Sequence, residues 1–141
     1  MEEATVLTEE SFLIFSINNY RYALRGSLIK QIVHAQKVRK LPFVPDYIEG
    51  ILNVHGNPYT AVNVLVMDEE PFPEIDGLTF IVLKRDDDQF CIHVSNIELF
   101  FEPEKEDIFE DRVKYRQEFI YFFDADRIEE KMRKDLSGGT K

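Results

Sequence analysis

Leu41-Pro42-Phe43-Val44-Pro45-Asp46-Tyr47-Ile48-Glu49-Gly50-Ile51-Leu52-Asn53-Val54-His55-Gly56 holds two prolines, an apolar run and two glycines in sixteen residues. Its two prolines hold an extended segment, because each fixes its own backbone and biases the residue before it. Asp46 is placed to cap a single helical turn reaching Gly50. Ile51 to Val54 reads as an apolar strand, and Gly56-Asn57-Pro58 as the turn that ends it. The stretch runs from loop to strand to turn and carries no catalytic constellation.

The same grammar extends in both directions. Phe12 to Ile17 is an unbroken apolar and β-branched run, the mark of a strand buried on both faces. Asn18-Asn19 supplies a two-residue turn, since Asn tolerates the left-handed conformation. Tyr20 to Leu24 alternates, completing a hairpin. Gly26 opens a short helical turn that leads into a strand through Ile32 and Val33. Tyr59 to Val66 reads as a further strand. Asp68 to Gly77, with Pro71, Pro73 and a crowd of acids, is the main loop. Beyond it come strands at Leu78 to Leu83, Phe90 to Val94, Ile97 to Phe101 and Phe119 to Phe123, with Asp86-Asp87-Asp88 at a hairpin tip. From Asp126 the period becomes helical, with Ile128, Met132 and Leu136 four apart. Many short strands, tight turns and one terminal helix indicate an all-β fold of small barrels.

Composition narrows the function classes. The chain has 141 residues, 44% hydrophobic and 31% charged, with 12 Phe, 6 Tyr and no Trp. That is enough apolar material for one well-filled domain. A net charge of −10 repels phosphate backbones and anionic membrane surfaces, which argues against nucleic-acid binding. The acid is concentrated in Glu102 to Asp111, which reads as a solvated loop, whereas Lys37 to Lys40 is a basic patch. The single cysteine, Cys91, lies inside a strand pattern and reads as a small buried hydrophobe. No apolar run approaches the roughly 20 residues that span a bilayer, so a cytoplasmic protein without direct membrane insertion is expected.

Residue types that carry chemistry are present but not in catalytic or metal-binding patterns. His34, His55 and His93 have no metal-ligand spacing, and His93 reads as a satisfied strand residue. The three aspartates at 86–88 lack the further oxygens and glycine turn of a calcium loop. Ser95 is not in a nucleophile elbow, and no glycine loop cradles phosphate. An enzyme is therefore not expected, nor is a metal or other cofactor.

In order and spacing, these elements resemble the CheW-like domain family. The resemblance rests on Phe12 to Leu24, on Ile29-Lys30-Gln31-Ile32, on Leu41-Pro42, on Pro45-Asp46-Tyr47-Ile48-Glu49-Gly50, and on Asn53-Val54-His55-Gly56. It continues more loosely through Phe80 to Leu83, Phe90 to Ile97 and Phe123 to Ile128. Departures from the family pattern are His55 for an arginine, Gln31 for a glutamate, and Asn63 and Ser95 for strand aspartates. The resemblance implies an all-β fold of two packed five-stranded SH3-like β-barrel lobes, with short helical turns and a C-terminal helix. Residues 1–10 would be a polar tail, 11–128 the CheW-like domain with lobes divided near 68–77, and 129–141 the C-terminal helix and tail.

The implied role is a chemotaxis adaptor without catalysis. It would couple the cytoplasmic tip of a methyl-accepting chemoreceptor to the regulatory domain of the histidine kinase CheA. Mapped onto this chain, receptor contact falls on Ile29, His55, Ile97 and Phe100, and kinase contact on Gln31 and Gly50. For Ile29, Ile97 and Phe100 the sequence equally supports a place in the core, and for His55 a solvated strand end. Competing readings are a diverged CheW-like scaffold serving another sensory or motility pathway, and a small-ligand or oligonucleotide-binding β-barrel.

Overall fold

The structure is a computed structural model that describes residues 11–35, 37–86 and 89–137. The polar lead-in at 1–10, the hairpin tip at Asp87-Asp88 and the tail from Gly138 lie outside these residues. Among the described residues, ten strands and two α-helices follow one another: β1 Phe12–Ile17, β2 Tyr20–Arg25, β3 Ile29–His34, β4 Ile48–Val54, β5 Asn57–Val62, α1 Val64–Met67, β6 Thr79–Leu83, β7 Phe90–Val94, β8 Asn96–Phe101, β9 Arg112–Tyr115, β10 Glu118–Tyr121 and α2 Ala125–Ser137.

The strands form a five-stranded sheet of order β3-β6-β7-β5-β4, a three-stranded sheet β2-β1-β8, and the β9–β10 ribbon. Both larger sheets draw strands from either side of the 68–77 loop. The ribbon joins the three-stranded sheet through a bridge between Ala23 and Phe122. In the larger sheet, among the described residues, β4 pairs with the chain beyond β3 through the isolated Arg39–Ile51 bridge. The closed barrels expected from sequence are thus corrected to open sheets. Single bridges stand where closure needs a continuous ladder.

Unbroken apolar runs arise because strands are covered on both faces. In β1, Leu13, Phe15 and Ile17 enter the central core, whereas Phe12 and Ile14 enter a second core with Ala23, Val113 and Ile120. In β6, Ile81 and Leu83 face the central core, and Phe80 and Val82 face a third, with Leu52, Tyr59, Ala61 and Cys91. The period-2 alternation of strands divides each run between two cores.

Three local expectations fail for identifiable reasons. Ile48 to Gly50 is strand, not helical turn: Ile48 pairs with Val62 and Gly50 with Ala61 across a bulge. The hairpin after β4 turns at His55-Gly56 (φ 53° and 86°), so Asn57 and Pro58 begin β5. The run Tyr59 to Val66 breaks at Asn63, whose Oδ1 accepts from the Val66 N–H (3.1 Å) and caps α1. Asp124 does the same for α2, accepting from the Arg127 N–H at 3.1 Å. Ile128 and Met132 then face the core, while Leu136 is exposed.

Candidate partner-binding site

The 68–77 loop is held down by polar side chains. His93, buried on β7, sets Nδ1 2.9 Å from both carboxylate oxygens of Glu49 and Nε2 2.8 Å from the Gly77 carbonyl. Its ring also stacks on Phe80 at 4.6 Å. Asn63 Nδ2 donates to the Pro73 carbonyl (3.0 Å) and to Glu49 (3.2 Å). Asn18 Nδ2 donates to the Glu74 carbonyl (2.9 Å), and its own backbone N–H donates to Ser95 Oγ (2.6 Å). Asn63 thus satisfies part-buried loop backbone at Pro73, whereas Ser95 anchors the exposed β1–β2 turn at Asn18.

The terminal helix is tied down in a similar way. Tyr47 Oη donates to Asp135 Oδ2 at 2.5 Å, Arg85 pairs with Asp126 (2.7 Å) and with Glu129, and Arg127 pairs with Asp68 (2.8 Å). The Tyr47 hydrogen bond and Lys131 hold the Asp135 carboxyl below its ordinary range, and burial together with Asp135 pushes the Tyr47 hydroxyl up. Burial, with the Glu49 charge adding, pushes the Cys91 thiol from 9.0 up to about 12. A thiol held protonated in this way is no nucleophile. Among the described residues, no group of three or more His, Cys, Asp or Glu is placed to hold a metal ion. No described helix is long and apolar enough to cross a membrane.

The residues singled out from sequence fall into separate places. Ile29 opens β3 and is only 3% exposed, inside the central core. Ile97 and Phe100 lie on β8, half-buried against that same core. Gln31 and His55 instead share a cleft of about 610 Å³ between β3 and β4, together with His34, Lys37, Arg39 and Asn53. Gly50 is buried in β4 at φ 146°, and a Cβ there would stand 2.2 Å from the Arg39 carbonyl oxygen. Its conformation and that close approach both demand glycine. The residues assigned to the receptor therefore divide between two regions, and the two assigned to the kinase do not share a surface.

Sequence reasoning passed over Phe43. It lies wholly in solvent at φ 59°, an uncommon and strained conformation for an aromatic residue. The available signal was an aromatic side chain between Pro42 and Pro45, in a loop with no strand to bury it. Exposed Phe72 on the 68–77 loop is comparable. On the ribbon, Phe119 and Tyr121 are exposed beneath the Arg112 guanidinium, at 5.0 and 5.9 Å.

Comparison with known proteins follows the same line. The CheW-like domain profile matches residues 11–121. Chemotaxis protein CheW of Bacillus subtilis (strain 168) is 27% identical over 143 residues, spanning 91% of this chain and 92% of that protein. Scaffolding protein TtCheW from Thermoanaerobacter tengcongensis superposes with a TM-score of 0.74 at 14% identity, over 83% of this chain and 90% of that one.

Proposed function

The chain belongs to the CheW-like domain family, and from that premise we propose that it is a chemotaxis adaptor joining chemoreceptors to a CheA-type histidine kinase by protein–protein binding alone. The observation that carries this reading is the family match across 11–121, reinforced by the similarity to a curated chemotaxis protein over nine-tenths of both chains. The three-stranded sheet with its ribbon around one core, and the five-stranded sheet around another, support reading the molecule as two SH3-like lobes.

In this reading the receptor offers an amphipathic helix, which buries side chains at i, i+3 and i+4 spacing against an apolar groove. Ile97 and Phe100 would line that groove with Ile29 as its floor, and His55 would contact the receptor from the turn after β4. Gln31 would face the kinase, and Gly50 would shape the strand beside it. Signal then passes as a shift between arrangements of the assembly, with no bond made or broken by the adaptor. Partners of this kind imply a cytoplasmic location. His55 and Gln31 in place of the family's charged residues favour a partner set altered from that of other members, since His lacks arginine's permanent charge and bidentate fork.

A tagged chain used as bait in its native cell tests the reading. Recovery of a CheA-type kinase together with a chemoreceptor is expected. Recovery of neither, with the bait folded and abundant, overturns it.

A further inference from the structure

The two outer strands of the five-stranded sheet, β3 and β4, stand on either side of the 610 Å³ cleft, a size within the about 300–1,000 Å³ of ordinary ligand clefts. The chain begins to close this gap and stops. Arg39 and Ile51 exchange backbone hydrogen bonds at 3.0 and 2.8 Å. Continuing that antiparallel ladder would set Lys37 opposite Asn53, yet the pairing is an isolated bridge.

The edge of β3 is consequently open. The Ala35 N–H donates to the Leu78 carbonyl (2.8 Å), so by alternation Val33 also turns its backbone groups toward β6. Ile32 and His34 then turn theirs outward, into the cleft. Ile51 spends its outward groups on Arg39, and the same alternation turns those of Asn53 into the cleft from the opposite side.

The charged side chains of the lining have one sign. Lys37 and Arg39 line the cleft, and among the described residues no aspartate or glutamate does, in a chain of net charge −10. Lys37 and Arg39 are exposed, and neither forms an ion pair with a described residue. Unpaired strand edges recruit extended chains, and field lines focused in a cationic cleft select acidic ones.

We propose that this cleft receives an acidic, extended segment of a partner protein. The segment adds as a strand beside β3, bonded to the backbone of Ile32 and His34, with its carboxylates against Lys37 and Arg39. This deepens the adaptor reading and rests on it for the existence of a partner, while the site itself rests on geometry and charge.

The test uses a capped seven-residue peptide alternating glutamate and valine, a matched lysine–valine peptide, and a glutamate–valine peptide with a central proline. Fluorescence anisotropy on the full chain reads affinity, and amide hydrogen exchange by NMR reads backbone pairing. The acidic peptide is expected to bind, more weakly as salt rises, and to slow exchange at Ile32 and His34. The lysine and proline peptides are expected not to bind. The Lys37→Glu/Arg39→Glu variant, checked for an unchanged circular dichroism spectrum, is expected to lose about tenfold or more in affinity. No acidic-peptide binding at millimolar concentration, equal binding of the proline peptide, or unchanged exchange at both amides overturns the proposal. If the double variant fails to fold, the proline peptide on the unaltered chain still decides the matter. Peptide failure with kinase still recovered from the cell refutes this proposal alone, and kinase failure with the peptide bound refutes the adaptor reading alone.

Discussion

At Gly50 one hydrogen atom separates a formed sheet edge from a clash. A methyl group there would meet the Arg39 carbonyl oxygen at 2.2 Å, in a backbone conformation that side-chain-bearing residues rarely adopt. Gly50→Ala is expected to lower stability by about 2–4 kcal/mol in urea unfolding. Cys91 gives a second prediction. Unfolded, its thiol ionises near 9.0; folded, it keeps its proton up to about 12. Between those values the unfolded state binds fewer protons, so stability falls as pH rises. Tyr20, Tyr22 and Tyr47, also pushed up, act in the same direction, so the comparison must be with Cys91→Ala. That variant should fall less steeply over the window, by up to about 1.4 kcal/mol per pH unit. Identical slopes would mean the thiol ionises equally well in the fold. The burial of Cys91 and the satisfied state of His93 were legible from sequence, because both sit in a run of apolar strand residues. The partners of His93 were not, since Glu49 and Gly77 reach it only through tertiary pairing.

Among elements, those announced by apolar runs or by a helical period were read correctly, and α1, whose start is set by a side-chain cap inside an apolar run, was not. β1, β6 and β7 announce themselves as apolar runs bounded by turns. α1 was read as strand because Val64 and Val66 are β-branched and Leu65 extends the apolar run, and the deciding event is the Asn63 cap. β9 went unread because its turn, Arg116-Gln117, contains neither Gly nor Asn although both residues have positive φ (50° and 71°). That mismatch supplies a prediction. Gln117→Gly relieves a left-handed residue at a two-residue hairpin turn and is expected to raise stability by about 0.5–1 kcal/mol. A rise in the thermal midpoint checks it; a loss would mean the Gln117 side chain contributes more than its strain costs.

Across the whole molecule, the sequence made the architecture class visible and left the partner surfaces undetermined. Burial of a strand on both faces follows from composition, but which half-buried residues remain for a partner depends on how the sheets meet. Ile29 illustrates this: its pattern allowed groove or core, and packing puts it in the core. His55, on an exposed turn, keeps its candidacy. His55→Ala is expected to weaken binding of a receptor cytoplasmic fragment while leaving unfolding midpoints nearly unchanged, and an unaltered affinity would remove His55 from the interface. The proposed adaptor role requires that this chain hold a kinase, and calorimetric titration with the purified regulatory domain of a CheA-type kinase from the same cell measures that binding. Saturable binding, with turnover of neither component, is the predicted result; absence of any binding heat at concentrations far above those in the cell, confirmed by an unshifted sedimentation profile, would contradict it.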